Sequence, residues 1–290
     1  MAKIAVALER ALDQRKRDGS AGSATAHVLA AGDGWRVADV ICTSGPDDRP
    51  FEEQHARVSV AVVAAGTFQY RSTARAELLT PGALMLGNPG QSYVCAHEHG
   101  SGDRCIAFQF APELFERLFG ARPRFRTSRL PPLRASAPTI ARACAALAGA
   151  GSASWEELSL ELAGRALQLT NGLELPAATP AAIARVTGAV RSLEENTELS
   201  LQELAGEARL SVYHFLRTFT QVTGVTPHQF ALRARLRDAA LRLAVDDTRV
   251  IDVALDSGFG DVSHFNRTFK AEFGVAPRAY RAGFGRRVLG

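Results

Sequence analysis

His214-Phe215-Leu216-Arg217-Thr218-Phe219, followed by Gly224-Val225-Thr226-Pro227, recurs fifty residues later. The second copy is His264-Phe265-Asn266-Arg267-Thr268-Phe269, then Gly274-Val275-Ala276-Pro277. Eight of these positions are identical at one fixed offset, the mark of an internal duplication. The period is long for a solenoid, and two copies are too few for an array.

Each copy reads as helix, tight turn, helix. In the first, Leu201, Leu204, Ala205 and Ala208 form an apolar stripe at helical spacing. Arg209-Leu210 turns the chain. Ser211 is a good N-cap, because its hydroxyl can accept a backbone N–H from the next helix. In the second copy Ile251, Ala254 and Leu255 make the stripe, Gly258-Phe259-Gly260 the turn and Asp261 the cap. Phe215 with Phe219, and Phe265 with Phe269, are four apart, so each pair shares one buried helix face. Gly224 and Gly274 suit the position just past a helix end, and Pro227 and Pro277 the start of the next helix. This is the helix-turn-helix pattern, over residues 201–223 and 251–273.

With the phenylalanines buried, the first of the two outward faces offers Val212, Tyr213, Leu216, Arg217 and Gln221. The counterparts are Val262, Ser263, Asn266, Arg267 and Ala271. Arg can bond two acceptors of guanine and Asn can pair likewise with adenine, so the two helices should read different sequences. Between them, Pro227 to about Val245 reads as a long helix carrying Arg233, Arg235, Arg237 and Arg242. It would set the two reading helices one DNA turn apart on one face of the duplex. Packing and capping alone explain the phenylalanines, glycines and prolines, and a single such helix pair would leave its arginine an ordinary surface residue. The duplication is what favours DNA.

The residues Leu204-Ala205, Ser211, Phe215, Arg217, Phe219, Gly224, Pro227, Ala254, Gly258-Phe259, Phe265, Arg267, Phe269, Gly274, Pro277 and Tyr280 resemble the C-terminal DNA-binding domain of AraC/XylS transcription regulators. The resemblance covers about a third of the chain. It implies that the second helix of each unit enters the major groove of promoter DNA, and that RNA polymerase is a partner. The DNA-binding candidates are Ser211, Tyr213, His214, Arg217 and Thr218, with Asp261, Ser263, His264, Asn266, Arg267 and Thr268. Leu216 and Val262 depart from the family, whose members often carry polar readers there.

The chain has 290 residues, a 46% hydrophobic fraction and a net charge of +4. That length suggests two domains, and that composition suffices for ordinary cores. The modest charge does not by itself argue for nucleic acid. It asks for a local basic face, for which Arg217, Arg233, Arg237, Arg267 and Lys270 are available. No apolar run approaches a membrane span, and Met-Ala-Lys opens no signal peptide. A cytoplasmic protein is expected, with Cys42, Cys95, Cys105 and Cys144 reduced at rest.

Residues 3–17 read as a short amphipathic helix. From Ala26 to Phe110 short apolar runs alternate with Gly, Pro, Asn and Asp, the signature of a sandwich or barrel. His55, the run Val58 to Val63, Gly66 and Leu79-Thr80-Pro81-Gly82 resemble a degenerate cupin or jelly-roll domain, which AraC-type regulators commonly carry as a sensor. The usual cupin metal motif is absent and only His55 remains.

One piece of this half carries chemistry of its own. In Tyr93-Val94-Cys95-Ala96-His97-Glu98-His99, period two places Cys95, His97 and His99 on one strand face. Gly100-Ser101-Gly102 reads as a hairpin that returns Cys105 opposite Cys95. Two thiols and two imidazoles are the ligand set of tetrahedral zinc. They equally suit an oxidisable dithiol, with Arg104 nearby to lower a thiol pKa. Buried structural cysteines and an organic-ligand pocket are the alternatives, and Cys42 is not placed by the sequence.

Helices are expected over Pro112–Leu118, Pro138–Leu147 and Trp155–Thr170. The stripe Leu158, Leu162, Ala166 and Leu169 suits either a homodimer surface or packing onto the β-region.

The expected architecture is α+β and two-domain. Residues 1–170 form the β-rich cupin-like sensor with flanking helices. Residues 171–178 are a linker, and 179–290 the all-α DNA-binding domain. The expected function is a DNA-binding regulator whose signal is a small molecule, a metal or an oxidant, with zinc the candidate cofactor. Rival readings are a cupin-like metalloenzyme with a helical appendage, and a protein-binding adaptor.

Overall fold

The structure is a computed structural model and describes residues 2–50, 52–73, 75–120, 124–151, 153–171, 173 and 176–284. Positions 172, 174 and 175 of the expected linker lie outside these residues.

Helix α1 (Ala2–Asp18) leads into strands β1 (Ala24–Gly32), β2 (Trp35–Cys42), β3 (Glu52–Gln54), β4 (Val58–Gly66) and β5 (Phe68–Ser72). Strands β6 (Ala76–Leu79), β7 (Leu84–Gly87), β8 (Ser92–Ala96) and β9 (Asp103–Phe110) follow. Then come α2 (Pro112–Phe119), β10 (Arg129–Leu130), α3 (Ala137–Leu147) and α4 (Trp155–Thr170). The strands form two antiparallel sheets, ordered β1-β2-β9-β4-β7-β10 and β3-β8-β5-β6.

The larger sheet is covered on both sides, which explains why β4 is apolar throughout instead of alternating. Ala61, Val63, Cys105 and Ala107 face Phe68, Tyr70 and Leu79 of the smaller sheet. Val60, Val62, Ile106 and Phe108 face the opposite way, into a core shared with Ile4, Phe115, Ile140, Leu158 and Leu162 from the helices. The α4 stripe therefore packs back onto the sheet. Leu158, Leu162 and Ala166 are fully buried there, so this stripe is no free dimer surface.

His55 lies within the fold as a core histidine. Its Nε2 is 3.2 Å from the Tyr70 hydroxyl, and its ring stacks on Tyr93 at 4.3 Å. Burial pushes its pKa down to about 4. The folded value lies below the unfolded value, so this group contributes stability above about pH 6.5 that is lost as pH falls towards 4. We expect the urea midpoint to drop with acid, by the equivalent of about 2 kcal/mol at pH 5 from this group alone. A His55→Gln variant should show a shallower fall; an equally steep one would remove His55 as the cause.

The C-terminal region is helical: α5 (Pro180–Glu195), α6 (Leu201–Glu207), α7 (Val212–Thr223), α8 (Pro227–Val245), α9 (Val250–Asp256), α10 (Val262–Phe273) and α11 (Pro277–Gly283). Phe215 and Phe219 sit in one small core with Leu193, Leu204 and Phe230. Phe265 and Phe269 sit in another with Leu236, Val253, Phe259 and Tyr280. Helix α8 contributes to both cores.

The two copies differ by one residue in the turn. Helices α6 and α9 are related by an offset of 49, whereas α7 and α10 keep the offset of 50, so Gly260 is the extra position. One residue rotates a helix by about 100°. The buried pair of α9 is consequently Val253 and Ala254, while Ile251 and Leu255 are 46% and 51% exposed. The expected stripe Ile251, Ala254, Leu255 is corrected accordingly.

The helical region is docked on the β-rich region. Leu78 of β6 enters the first small core and Ala141 of α3 the second. Buried Arg129 of β10 donates through Nη1 to the Thr223 carbonyl at 3.1 Å, and its Nε lies 3.8 Å from Glu77. Arg233 donates to the Pro132 carbonyl at 2.6 Å and lies 3.3 Å from Glu272. Arg237 is half-buried, facing Gly82; burial pushes its pKa down, and the charge of nearby Glu194 opposes that shift. The expected assignment of Arg233 and Arg237 to an exposed basic face is thus corrected. Helix α8 is flanked by both small cores and by the β-rich region, so Arg233 and Arg237 serve the interface, while Arg235 bonds Thr197 and Gly258 and Arg242 pairs with Asp256.

Gly224 allows a test of this docking. It ends α7 at φ 80°, and a Cβ there would lie 2.7 Å from Pro131. Gly274 ends α10 at the same φ with nothing within 4 Å. Both alanine variants incur the left-handed penalty of about 1–2 kcal/mol. Only Gly224→Ala adds a clash with the β-rich region, so it should be the more destabilising of the two in thermal melts. Equal losses would contradict the contact.

Candidate nucleic-acid interface

The second helix of each unit is fixed at both ends by its own sequence. The Ser211 hydroxyl accepts the His214 N–H at 3.4 Å, and the Asp261 carboxylate accepts those of Ser263 and His264, both at 3.0 Å. These caps satisfy amides that would otherwise lack partners. Gly224 and Gly274 close the helices in the left-handed conformation. The turn before each second helix needs a positive φ, met by Arg209 at 53° and by Gly258 at 78°.

The phenylalanine pairs anchor one face, and the opposite face is open. Tyr213, His214, Leu216 and Arg217 are exposed on α7, as are Ser263, His264, Asn266 and Arg267 on α10. Tyr213 is 70% exposed, unusual for so large a ring. Thr218 and Thr268 are half-buried at the edge of this face, and the Thr268 hydroxyl donates to the His264 carbonyl at 2.8 Å. The structure thus places each predicted residue on or beside the free face of α7 or α10, with Ser211 and Asp261 at the caps.

A helix-turn-helix domain model matches residues 204–283. Over 86 residues the chain is 38% identical to the transcriptional activator RhaS of Klebsiella pneumoniae, covering 30% of this chain and 31% of that one. Over 84 residues it is 33% identical to the transcriptional regulator MtrA of Neisseria gonorrhoeae, covering 29% and 28%. Residues 204–283 are an AraC-type helix-turn-helix domain. The chain spans about a third of the length of the curated relatives it matches. Among solved structures, a transcriptional regulator with an AraC-type DNA-binding domain from Chromobacterium violaceum is similar at 28% identity. That match covers 38% of this chain and 99% of that one, with a TM-score of 0.35.

In this AraC-type domain the second unit has a basic concavity, of whose cations the sequence pointed only to Arg267 and Lys270. Arg249, Arg267, Lys270, Arg278 and Arg281 line a hollow of about 950 Å³ between α9, α10 and α11. Arg249 is held by Asp252 at 2.7 Å, and Arg281 donates to the Thr248 carbonyl at 2.5 Å. The signal was weak, because these cations lie on three separate helices. Among the described residues no helix is long and apolar enough to cross a membrane.

The Cys/His segment beside this domain folds differently from the expected hairpin. Strand β8 pairs with β3 and β5, while β9 pairs with β2 and β4. Residues 97–102 carry the chain from one sheet to the other. His99 turns away, 3.2 Å from the Thr67 hydroxyl. His97 instead meets Asp103, with Nε2 2.6 Å from Oδ1. The set Cys95, His97, His99 and Cys105 is therefore not brought together as one ligand shell. Arg104 does not activate a thiol, since its guanidinium is bound to Asp39 by two bonds of 2.8 Å. Burial first, then the Asp103 charge, push the Cys95 and Cys105 thiols well above their ordinary value. Burial disfavours a charged His97, but its bonds to Asp103 and Cys42 outweigh this and hold its pKa at about 9.

Proposed function

We propose that this chain is a sequence-specific regulator of transcription that binds double-stranded promoter DNA through α7 and α10. The observation that carries this reading is the repeated open face: at one offset of 50, two capped helices bury Phe and expose His and Arg. Arg217, Asn266 and Arg267 have the chemistry for base edges. Tyr213, His214, Ser263 and His264 flank them, and the Leu216 side chain suits a thymine methyl. Ser211, Thr218, Asp261 and Thr268 shape the edge of each face. Arg278 and Lys270 are placed to meet phosphates. Helix α8 has 19 residues, about 28 Å of rise. That is comparable with one turn of DNA, as two reading helices on one face require.

Residues 179–290 act as the DNA-binding domain and 1–170 as the regulatory one, with RNA polymerase the downstream partner. The relatives named as activators favour that role over an enzymatic one. The regulatory signal reaches the helices through the docking contacts of Arg129, Arg233 and Arg237. The test is competition binding of the full chain, with its own upstream promoter region against scrambled DNA, across a salt series. Preference for the promoter and a steep loss of affinity with salt are expected. Equal affinity for both DNAs, or binding indifferent to salt, would overturn the reading.

A further inference from the structure

Where β2 and β9 reach one end of the larger sheet, Cys42 stands directly opposite Asp103 in the antiparallel register. Directly opposed residues project to the same side of a sheet. Cys105, two positions along β9, shares that side and faces the smaller sheet. From there β8 supplies Cys95, and the chain just beyond it supplies His97. The Cys42 sulfur, a ring nitrogen of His97 and a carboxylate oxygen of Asp103 all lie within 4.8 Å of one another, and all three residues are buried. The Cys105 thiol donates to the other oxygen of Asp103 at 3.5 Å.

We propose that Cys42, His97 and Asp103 bind a thiophilic divalent cation of the zinc class, with Cys95 or Cys105 supplying the fourth donor. One sulfur, one imidazole nitrogen and one carboxylate oxygen are all accepted zinc donors, and a second thiolate makes the shell tetrahedral. The soft sulfur ligands disfavour magnesium and calcium, which take oxygen. The cation takes the place of the proton between His97 and Asp103 and of the thiol protons of Cys42 and the second cysteine, and these three protons leave to solvent. A cleft of about 220 Å³, lined by Ser44, Asp48, Arg71, Cys95 and His97, gives it a route in.

The site also has a mechanical neighbour. The segment 97–102, which begins at the ligand His97, carries Ser101 into the cleft that Arg191 and Glu194 of α5 line. Drawing His97 onto a cation therefore acts on the segment that abuts the helical region. This consequence rests on the DNA-binding reading; the metal site does not.

The experiment uses the reduced full-length chain, stripped with chelator and titrated with Co²⁺ alone, without DNA. The expected result is one cobalt per chain, with thiolate-to-cobalt charge-transfer absorption and the intense visible bands of a tetrahedral centre, reversed by Zn²⁺. Cys42→Ser and Asp103→Asn should each weaken binding at least about tenfold. Cys144→Ser, outside the cluster, should leave it unchanged. Should a core variant fail to fold, the unmodified chain still decides. A folded chain that takes up no stoichiometric cobalt, or a cobalt spectrum without a thiolate band, overturns the proposal. So does undiminished binding in both ligand variants. DNA binding by a chain that takes up no cobalt would leave the function standing while the site falls.

Discussion

Replacing Arg217 and Arg267 together by alanine is expected to remove sequence-selective DNA binding while the fold survives. Both side chains are exposed on the free faces of α7 and α10, one turn along from Tyr213 and Ser263. An arginine that bonds guanine contributes about 1–3 kcal/mol, or roughly 10- to 100-fold in affinity. Two such contacts on separate helices are far enough apart to add, so the double variant should lose roughly 10²- to 10⁴-fold against cognate DNA. Loss at non-specific sites should be much smaller. The contrast variant is Lys270→Ala, which should weaken binding evenly across sequences and lower the salt slope by about 1. Fluorescence anisotropy on cognate and scrambled duplexes checks both. A double variant that still prefers its cognate site would show that α7 and α10 are not the readers.

The second large effect is on stability. Phe219 is fully buried, its ring 5.6 Å from Phe215 and 5.9 Å from Phe230. It therefore joins α7 to the start of α8, the link between the two units. Phe219→Ala removes a whole ring from a small core with little material to refill the space, and about 3–5 kcal/mol should be lost. Against a total of about 5–15 kcal/mol, that is enough to unfold part of the helical region near body temperature. Phe269→Ala should act similarly in the second core, where the ring meets Phe265, Phe273 and Tyr280. Urea unfolding followed by circular dichroism measures both. A loss under about 1 kcal/mol would mean that these cores do not hold the units together.

The helical half was legible because its signals are local. Caps, Phe pairs and end glycines act within a few residues, so Ser211, Phe215 and Gly224 could be read directly from their spacing. The register of α9 was missed for a physical reason: Gly260 adds one residue inside a turn, invisible to a motif that keeps its offset on either side. Arg233 and Arg237 of α8 were misplaced because their burial depends on contacts with Pro132 and Gly82, a hundred or more residues earlier.

The β-rich half was legible as strands and not as pairing. Period two placed Cys95 and His97 on a common face, but nothing local says that β8 and β9 belong to different sheets. Gly102 marks the crossing. It sits at φ 56° with no room for a Cβ beside the Cys42 carbonyl. That contact brings Cys42 and Asp103 to His97, and neither partner could be chosen from sequence spacing alone.

The most direct test of the central claim is a hydroxyl-radical footprint of the full chain on its own promoter. Two helices reading successive major-groove segments predict two protected stretches on one face of the duplex, their centres about 10 bp apart. Arg217→Ala should weaken one stretch and Arg267→Ala the other. A single protected stretch that both variants weaken equally would contradict a paired reading by α7 and α10.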